Sequence, residues 1–460
     1  MGAILSTQGR VLYPPLVFVS PTMDFTRLRN TLSQARVPLL ASLLASDMEC
    51  YLVGGALRDW QLGRPVSDFD FAVSADPTGL ARKFAESVGG HWFMLDAERR
   101  QSRVVSRNKD ALPFTYDFAP YRAEDLSGDL RLRDFTINAL ALPIVDGNGL
   151  PPLIDPLGGI SHLQCGLLRG CSSGVFQDDP LRILKGVRHC TALGFAVDPR
   201  TLIWMREATG LLPKVAAERV RAELTGIFAS DEVTRGLLLL RELGLLEALF
   251  GPCRGPGSFQ QGLDALARAA QVVECLGAMD QPQWLNRELE DGLSRRTLLK
   301  MAAFLSGYEP SDPRNFFSKW RFSRSTTGLG VSLVSLSPHK LEELGRLVSS
   351  RRGRALWAAS LGTNPCDHLV FLPVIADAPA VLAVERILPI LDDVRAVIRD
   401  GRIPDLVDGE WVRKEIGLEG EEIGRALSSL RDAEIAGRVR GVEMAKEFLK
   451  GTVRREGVRR

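Results

Sequence analysis

Apolar residues recur at helical spacing from Phe25 to about Leu44, which predicts a lead helix. The apolar run CYLVGG follows and reads as a strand that ends in a glycine turn and opens a second helix. After a polar linker, DFDFAV (68–73) alternates with the period of a half-buried strand. Asp76-Pro77 then opens a helix that Gly89-Gly90 stops. Short alternating runs around 91–95, 101–106 and 115–119 predict three more strands, so the first part of the chain is read as an α/β head. Within 131–142, Phe135, Ile137, Leu140 and Leu142 pattern a partly buried helix, for which Asp134 is placed to act as a cap. From Ser230 onward, leucine-rich windows such as RGLLLLRELGLLEALF predict helices throughout.

Composition adds bounds to this picture. The chain has 460 residues, 45% hydrophobic and 25% charged, enough for two to four domains. The expected division is an irregular lead-in over 1–22, a head over 23–150, a helical neck over 151–230, a helical body over 231–400 and a helical tail over 401–460. Residues 1–22 are read as an irregular lead-in, with a start at Met23 left as an open alternative, and the acylation-like MGAILS is read as coincidence. The net charge of +2 neither demands nor excludes nucleic acid, so any RNA-binding face must come from local clusters. Seven cysteines without C-x-x-C pairing suggest reduced thiols and a cytoplasmic setting rather than a disulfide frame. No uninterrupted apolar run is long enough to span a membrane.

The candidate chemistry gathers in LVGGALRDWQLGRPVSDFDFAV, residues 52–73. Asp68 and Asp70, one residue apart on a strand, share a face, while Phe69 and Phe71 point to the other. Two adjacent carboxylates call for a cation, and a divalent metal is the usual answer. Gly54 and Gly55 let the backbone come close and open a helix whose positive end suits a phosphate, and Arg58 lies one turn on. A metal pair beside a phosphate cradle is equipment for moving a nucleotide.

Taken together, GGALRD followed by GRPVSDFDFAV resembles the first motif of class II tRNA nucleotidyltransferases and bacterial poly(A) polymerases. These enzymes transfer a nucleoside monophosphate from CTP or ATP to an RNA 3′-hydroxyl. The resemblance extends through several further motifs over about 48–230, fades through the body and partly returns in the tail. It implies that Asp68 and Asp70 hold Mg²⁺, with Asp117 of YDFAPYR as a third carboxylate, and that Gly54, Gly55 and Arg58 hold the triphosphate. RLRDFTINA is similar to the family's ribose and triphosphate motif, which implies contacts from Arg133, Asp134 and Asn138; Leu132 stands where a first arginine is usual. LIDPLGG resembles the connection into a helical neck, and FQDDPLRILK resembles the base-reading motif. There Asp179 can accept from an exocyclic amine and Arg182 can donate to a ring acceptor, so the protein itself reads cytosine or adenine. Glu218, Arg219 and Glu223 resemble a bracing motif and are given a structural role. The body resembles an HD-type domain whose metal signature is replaced by FLSGY (304–308), leaving His339 and His368 without partners. The arginine-rich end GTVRREGVRR is expected to be solvated.

The expected architecture is therefore an α/β nucleotidyltransferase head followed by an all-α neck, body and tail. The partners implied are the tRNA 3′ end, CTP and ATP. The short segment between Arg122 and the ribose motif resembles that of enzymes adding CC rather than the whole CCA. Complete CCA addition, A addition, poly(A) synthesis and, from another class, a catalytically inactive tRNA-binding protein remain as alternatives.

Overall fold

The computed structural model describes residues 4–5, 11–12, 25–107, 113–146, 151–278, 282–336, 353, 364–375, 390–391, 406–435, 438–439 and 441–457. The chain divides into two compact units, 1–246 and 247–460.

The first unit opens on two-residue strands, β1 (Ile4–Leu5) and β2 (Val11–Leu12), and helices α1 (Phe25–Gln34) and α2 (Leu39–Leu43). The single lead helix expected from the spacing is thus two helices. Arg36 takes a left-handed backbone (φ 54°), and Val37 precedes Pro38, which disfavours helix at that residue. Next come β3 (Cys50–Val53), α3 (Gly55–Gln61), β4 (Asp68–Val73), α4 (Thr78–Val88), β5 (His91–Asp96), β6 (Gln101–Arg107), β7 (Pro113–Pro120), α5 (Leu126–Arg131) and β8 (Ala141–Pro143). They form one mixed sheet in the order β5-β6-β7-β4-β3-β8, in which β4 and β7 are parallel and their neighbours antiparallel.

Alternation along β4 assigns the two faces of this sheet. Phe69 and Phe71 are buried against Tyr116 and Phe118 of β7, and those two rings in turn meet Phe84 of α4. The Phe71 and Phe118 rings stack with centroids 4.9 Å apart, and Phe84 meets Tyr116 edge-on. With α4 covering that face, the acidic face is left open. α4 stops at Gly89, whose φ of 64° suits a residue without a Cβ.

The stretch 131–142 departs from the expected helix. After α5 the chain is extended at Phe135, makes a single 3-10 turn over Thr136–Asn138, and enters β8. Asp134 explains the interruption: its carboxylate accepts from the Phe135 amide and the Asn138 side chain and pairs with Lys185. Local side-chain bonds of this kind compete with helical ones.

The chain then passes through α6 (Gly159–Gln164), β9 (Leu167–Leu168), α7 (Val175–Asp178), α8 (Leu181–Leu193), β10 (Ala196–Val197), α9 (Pro199–Ala208), α10 (Ala217–Ala229) and α11 (Val233–Glu242). The D-P-L-G-G connection has a local cause. Asp155 accepts from the Gly159 and Ile160 amides, Gly158 turns the chain at φ 71°, and Gly159 packs against the Thr136 carbonyl where a Cβ would come within 2.2 Å. This fastens α6 to the 3-10 turn.

In the second unit, the helices Ser258–Ala278 and Arg295–Tyr308 pack closely through Gly262 and Gly307. A small antiparallel pair, Glu288–Glu290 with Leu293–Ser294, interrupts the helices expected there. FLSGY ends the Arg295–Tyr308 helix, where Phe304 and Tyr308 pack with Phe250 in an aromatic cluster. His368 is buried between the Asn364 carbonyl and the Ser332 hydroxyl, and Asp367 pairs with Arg295; His339 lies outside the described residues. The tail helices Glu421–Ile435 and Val442–Gly457 share a core of Val412, Leu430 and Leu449. The last helix thus continues into the basic end that was expected to be solvated, and the side chains beyond Gly451 lie outside the described residues.

Candidate active site

The open face of the sheet forms the floor of a cleft of about 540 Å³, walled by the glycine turn, the 134–138 segment and helices α8 and α10. Pairing register makes the floor a row: Asp70 lies opposite Asp117, and Asp117 opposite Arg103. Directly paired residues point to the same face, so three strands bring two carboxylates and a guanidinium side by side. Arg103 holds Asp117 in a bidentate pair, with both contacts at 2.6 Å. The Asp70 carboxylate makes no hydrogen bond among the described residues. It reaches solvent but is ringed by protein. That crowding, with the charges of Asp117 and Asp68, pushes its pKa above the ordinary value despite Arg133 and Lys185. Asp68 stands on the same face at the exposed start of β4, outside the cleft lining, and accepts from the Ser67 hydroxyl.

Gly54 and Gly55 line the cleft beside this row. Gly54 has a φ of 80°, and a Cβ there would lie 3.2 Å from Asp70 Oδ2 and 3.3 Å from Arg133 Nη1. Only glycine lets the turn come so close. The helix it opens, α3, has seven residues, so most of the positive charge here comes from side chains instead. Arg58 lines the cleft with its guanidinium paired to Asp59 and donating to Asn138 Oδ1 at 2.7 Å. Asn138 in turn donates to Asp134, which is buried and pairs with Lys185 at 2.6 Å. Burial opposes the charge on Asp134, yet the Lys185 ammonium, together with the hydrogen bonds from Lys185 and Asn138, outweighs it and holds the carboxyl far below its usual range. Burial next to Arg58 and Arg188 keeps His189 neutral, well below the usual histidine value. Asp134 thus lines the cleft with its oxygens already engaged by the protein.

The two expected base readers also line the cleft, and both are engaged. Asp179 pairs with Arg219 at 2.8 Å, while Arg182 donates to the carbonyls of Val175 and Leu132 at 3.2 and 3.1 Å. Arg219, expected only to brace the neck, is therefore part of this wall, and Glu223 braces α10 to α8 through Arg188 at 2.6 Å. Sequence reading missed Arg103, Arg122 and Asp129. Asp129 is 2% exposed and ties Arg122 (2.9 Å) to Arg133 (3.0 Å). Its position four residues before Arg133 was a visible signal; Arg103 needs the strand register, and Arg122 its contact with Asp129.

The donor set can be tested against a divalent ion. Among the described residues, no three His, Cys, Asp or Glu side chains form a preformed metal cluster. Asp117 is turned to Arg103, which leaves the pair Asp68 and Asp70. Two carboxylates with the remaining positions left to water and phosphate oxygens fit Mg²⁺, a hard ion that keeps part of its shell for substrate.

Carboxylates on a mixed-sheet face, beneath glycine and arginine walls, define a nucleotidyl-transfer head. Comparison with known proteins agrees. Residues 50–169 match the Poly A polymerase head domain, and residues 194–254 match the probable RNA and SrmB-binding site of polymerase A. The chain is 31% identical over 443 residues to a CC-adding tRNA nucleotidyltransferase of Geobacter sulfurreducens, covering 92% of this chain and 96% of the relative. It is 32% identical over 438 residues to an A-adding tRNA nucleotidyltransferase of Deinococcus radiodurans, covering 86% and 94%. Its fold resembles that of a Thermotoga maritima CCA-adding enzyme complexed with tRNA, with a TM-score of 0.62 and 21% identity over 93% of this chain and 96% of that one. The chain belongs to the tRNA nucleotidyltransferase and poly(A) polymerase family, and it is an enzyme.

Proposed function

We propose that the enzyme adds two CMP residues from CTP to the 3′ end of tRNA lacking its CCA terminus, and then stops. The RNA 3′-hydroxyl gives up its proton to solvent as its oxygen bonds to the α-phosphorus of CTP, the bond from that phosphorus to the β-bridging oxygen breaks, and pyrophosphate departs. Asp68 and Asp70 would hold Mg²⁺, which would supply positive charge to favour ionisation of the 3′-hydroxyl and to neutralise the leaving pyrophosphate. Asp117 completes the acidic row, and Arg103 keeps it oriented. Gly54, Gly55 and Arg58 hold the triphosphate, with Arg133 close to the turn. Asn138 orients Arg58 and is itself set by Asp134 and Lys185. Asp179 and Arg182 read the base, exchanging their present partners for its edge. These are also the groups whose chemistry rejects uracil and guanine, which would leave buried polar atoms unpaired. We place the enzyme in the cytoplasm; among the described residues no helix is long and apolar enough to cross a membrane.

The observation that carries CC addition is the closed segment between Arg122 and Asp134. Asp125 caps α5 by accepting from the Gly128 amide at 2.7 Å, and buried Asp129 clamps both ends of the segment through Arg122 and Arg133. So short and tied a segment leaves no long mobile arm to reset the site from cytosine to adenine.

The test supplies purified enzyme and Mg²⁺ with tRNA transcripts ending before CCA, after its first C and after CC. Each receives labelled CTP or ATP, and products are sized to one nucleotide. Two, one and no additions of C, with no A, are expected. Completion to CCA overturns the argument from the short segment, A added only after CC makes this an A-adding enzyme, and long adenosine tails on unrelated RNA make it a poly(A) polymerase. No incorporation at all leaves a tRNA-binding protein.

A further inference from the structure

The edge strand β5 exposes an apolar ledge beside the acidic row. Phe93 and Leu95 are 42% and 44% exposed, unusual for large apolar side chains on a sheet edge, where charged residues more commonly guard against pairing. On the opposite face Trp92 is covered by Arg82 of α4 at 4.2 Å, while Met94 is 37% exposed there; the Phe93 face is the one that continues into the acidic row. Register extends the row outward: Phe93 lies opposite Arg103, which lies opposite Asp117, which lies opposite Asp70. The strand is irregular between Met94 and Asp96, and Leu95 lines the cleft together with Gln101. Phe93 therefore stands three strand spacings from Asp70, about 14 Å across the same face.

We propose that Phe93, supported by Leu95, is the stacking platform for a nucleobase at the 3′ end of the acceptor RNA. This rests on the tRNA-extending function proposed above. A single-stranded RNA end whose 3′ oxygen reaches Asp70 needs an apolar surface for its last bases, and an aromatic face accepts any base because every base has a π face. Arg103, next in the row and partly exposed, adds a guanidinium close to the RNA backbone. The occupant is RNA rather than a protein strand because the ledge is continuous with the carboxylate row at which the RNA end must arrive. The ledge holds the acceptor and leaves the incoming nucleotide to the glycine turn and α8, so the two substrates are separable by mutation.

The experiment compares wild type, Phe93→Ala and Phe93→Trp, using tRNA ending before CCA with 2-aminopurine as its terminal base. Phe93→Ala is expected to raise the KM for tRNA about tenfold, the scale of one lost base stack, with the KM for CTP unchanged. Fluorescence quenching on binding is expected in wild type and Phe93→Trp and to be lost in Phe93→Ala. Unchanged tRNA KM and quenching in Phe93→Ala overturn the proposal, as does an equal rise in both KM values. If the wild type extends no tRNA, the functional reading fails instead, and the quenching titration still decides whether the ledge binds the RNA end.

Discussion

Asp129 is the most deeply buried carboxylate of the cleft wall, and Arg122 and Arg133 both depend on it. Burial alone disfavours its charge, but Arg133 and then Arg122 outweigh this and hold its pKa below the ordinary aspartate value. A carboxyl depressed in the folded state adds stability that is fully present above the unfolded pKa, near 4, and is lost as pH falls through the folded value. Asp129→Asn is therefore expected to cost about 2 kcal/mol at neutral pH, less than a fully buried pair because Arg122 is half exposed. Denaturant unfolding from pH 7 to 3 checks this. The gap between variant and wild type should hold steady to about pH 5 and narrow below it; a gap that widens towards acid would disprove the assignment.

Among the elements, the join between α6 and the 134–138 turn is the most tightly specified. Gly159 sits where a Cβ would come within 2.2 Å of the Thr136 carbonyl, and backbone atoms cannot yield as a side-chain tip can. Gly159→Ala must push α6 away from the turn that carries Asn138, the residue bonded to Arg58. We expect a loss of about 2 kcal/mol, the usual scale of overpacking, accompanied by a rise in the KM for CTP. Thermal melting and steady-state kinetics check the two effects. Gly158→Ala, at a left-handed φ where a Cβ would meet only the His162 ring at an ordinary 3.7 Å, should lower stability less and spare the KM for CTP.

For the whole molecule, the described cleft lies entirely within the unit 1–246. Ligand binding stabilises what it touches, so CTP with Mg²⁺ should slow amide exchange in peptides from 50–73 and 129–223. Peptides from 258–278 and 295–308 should exchange as before. Asp70→Asn is expected to keep the melting temperature, because this carboxylate makes no hydrogen bond among the described residues, and to abolish nucleotide incorporation. Retained incorporation in that variant would remove Asp70 from the metal pair.

The sequence by itself determined what is local. The DFDFAV alternation separated carboxylates from phenylalanines because side chains on a strand point to alternate faces. The glycines at 54 and 55 and the D-P-L-G-G connection announced close backbone approaches that only glycine allows. The motifs carried the family and the mostly helical fold after the head, for which few residues suffice. Tertiary structure decided whatever depends on register or on long-range partners. Nothing in QSRVVSR says that Arg103 will face Asp117, or that Phe93 will extend the same row, because strand pairing is set by the whole sheet. Nor does the apolar spacing of 131–142 reveal that it is no helix, since Lys185, some fifty residues on, holds Asp134 and breaks the pattern. Asp179 and Arg182 were legible as a pair, but their engagement by Arg219, Val175 and Leu132 was not. Periodicity is a property of neighbours in the chain, whereas the charge partners that shape this cleft are neighbours only in the folded protein.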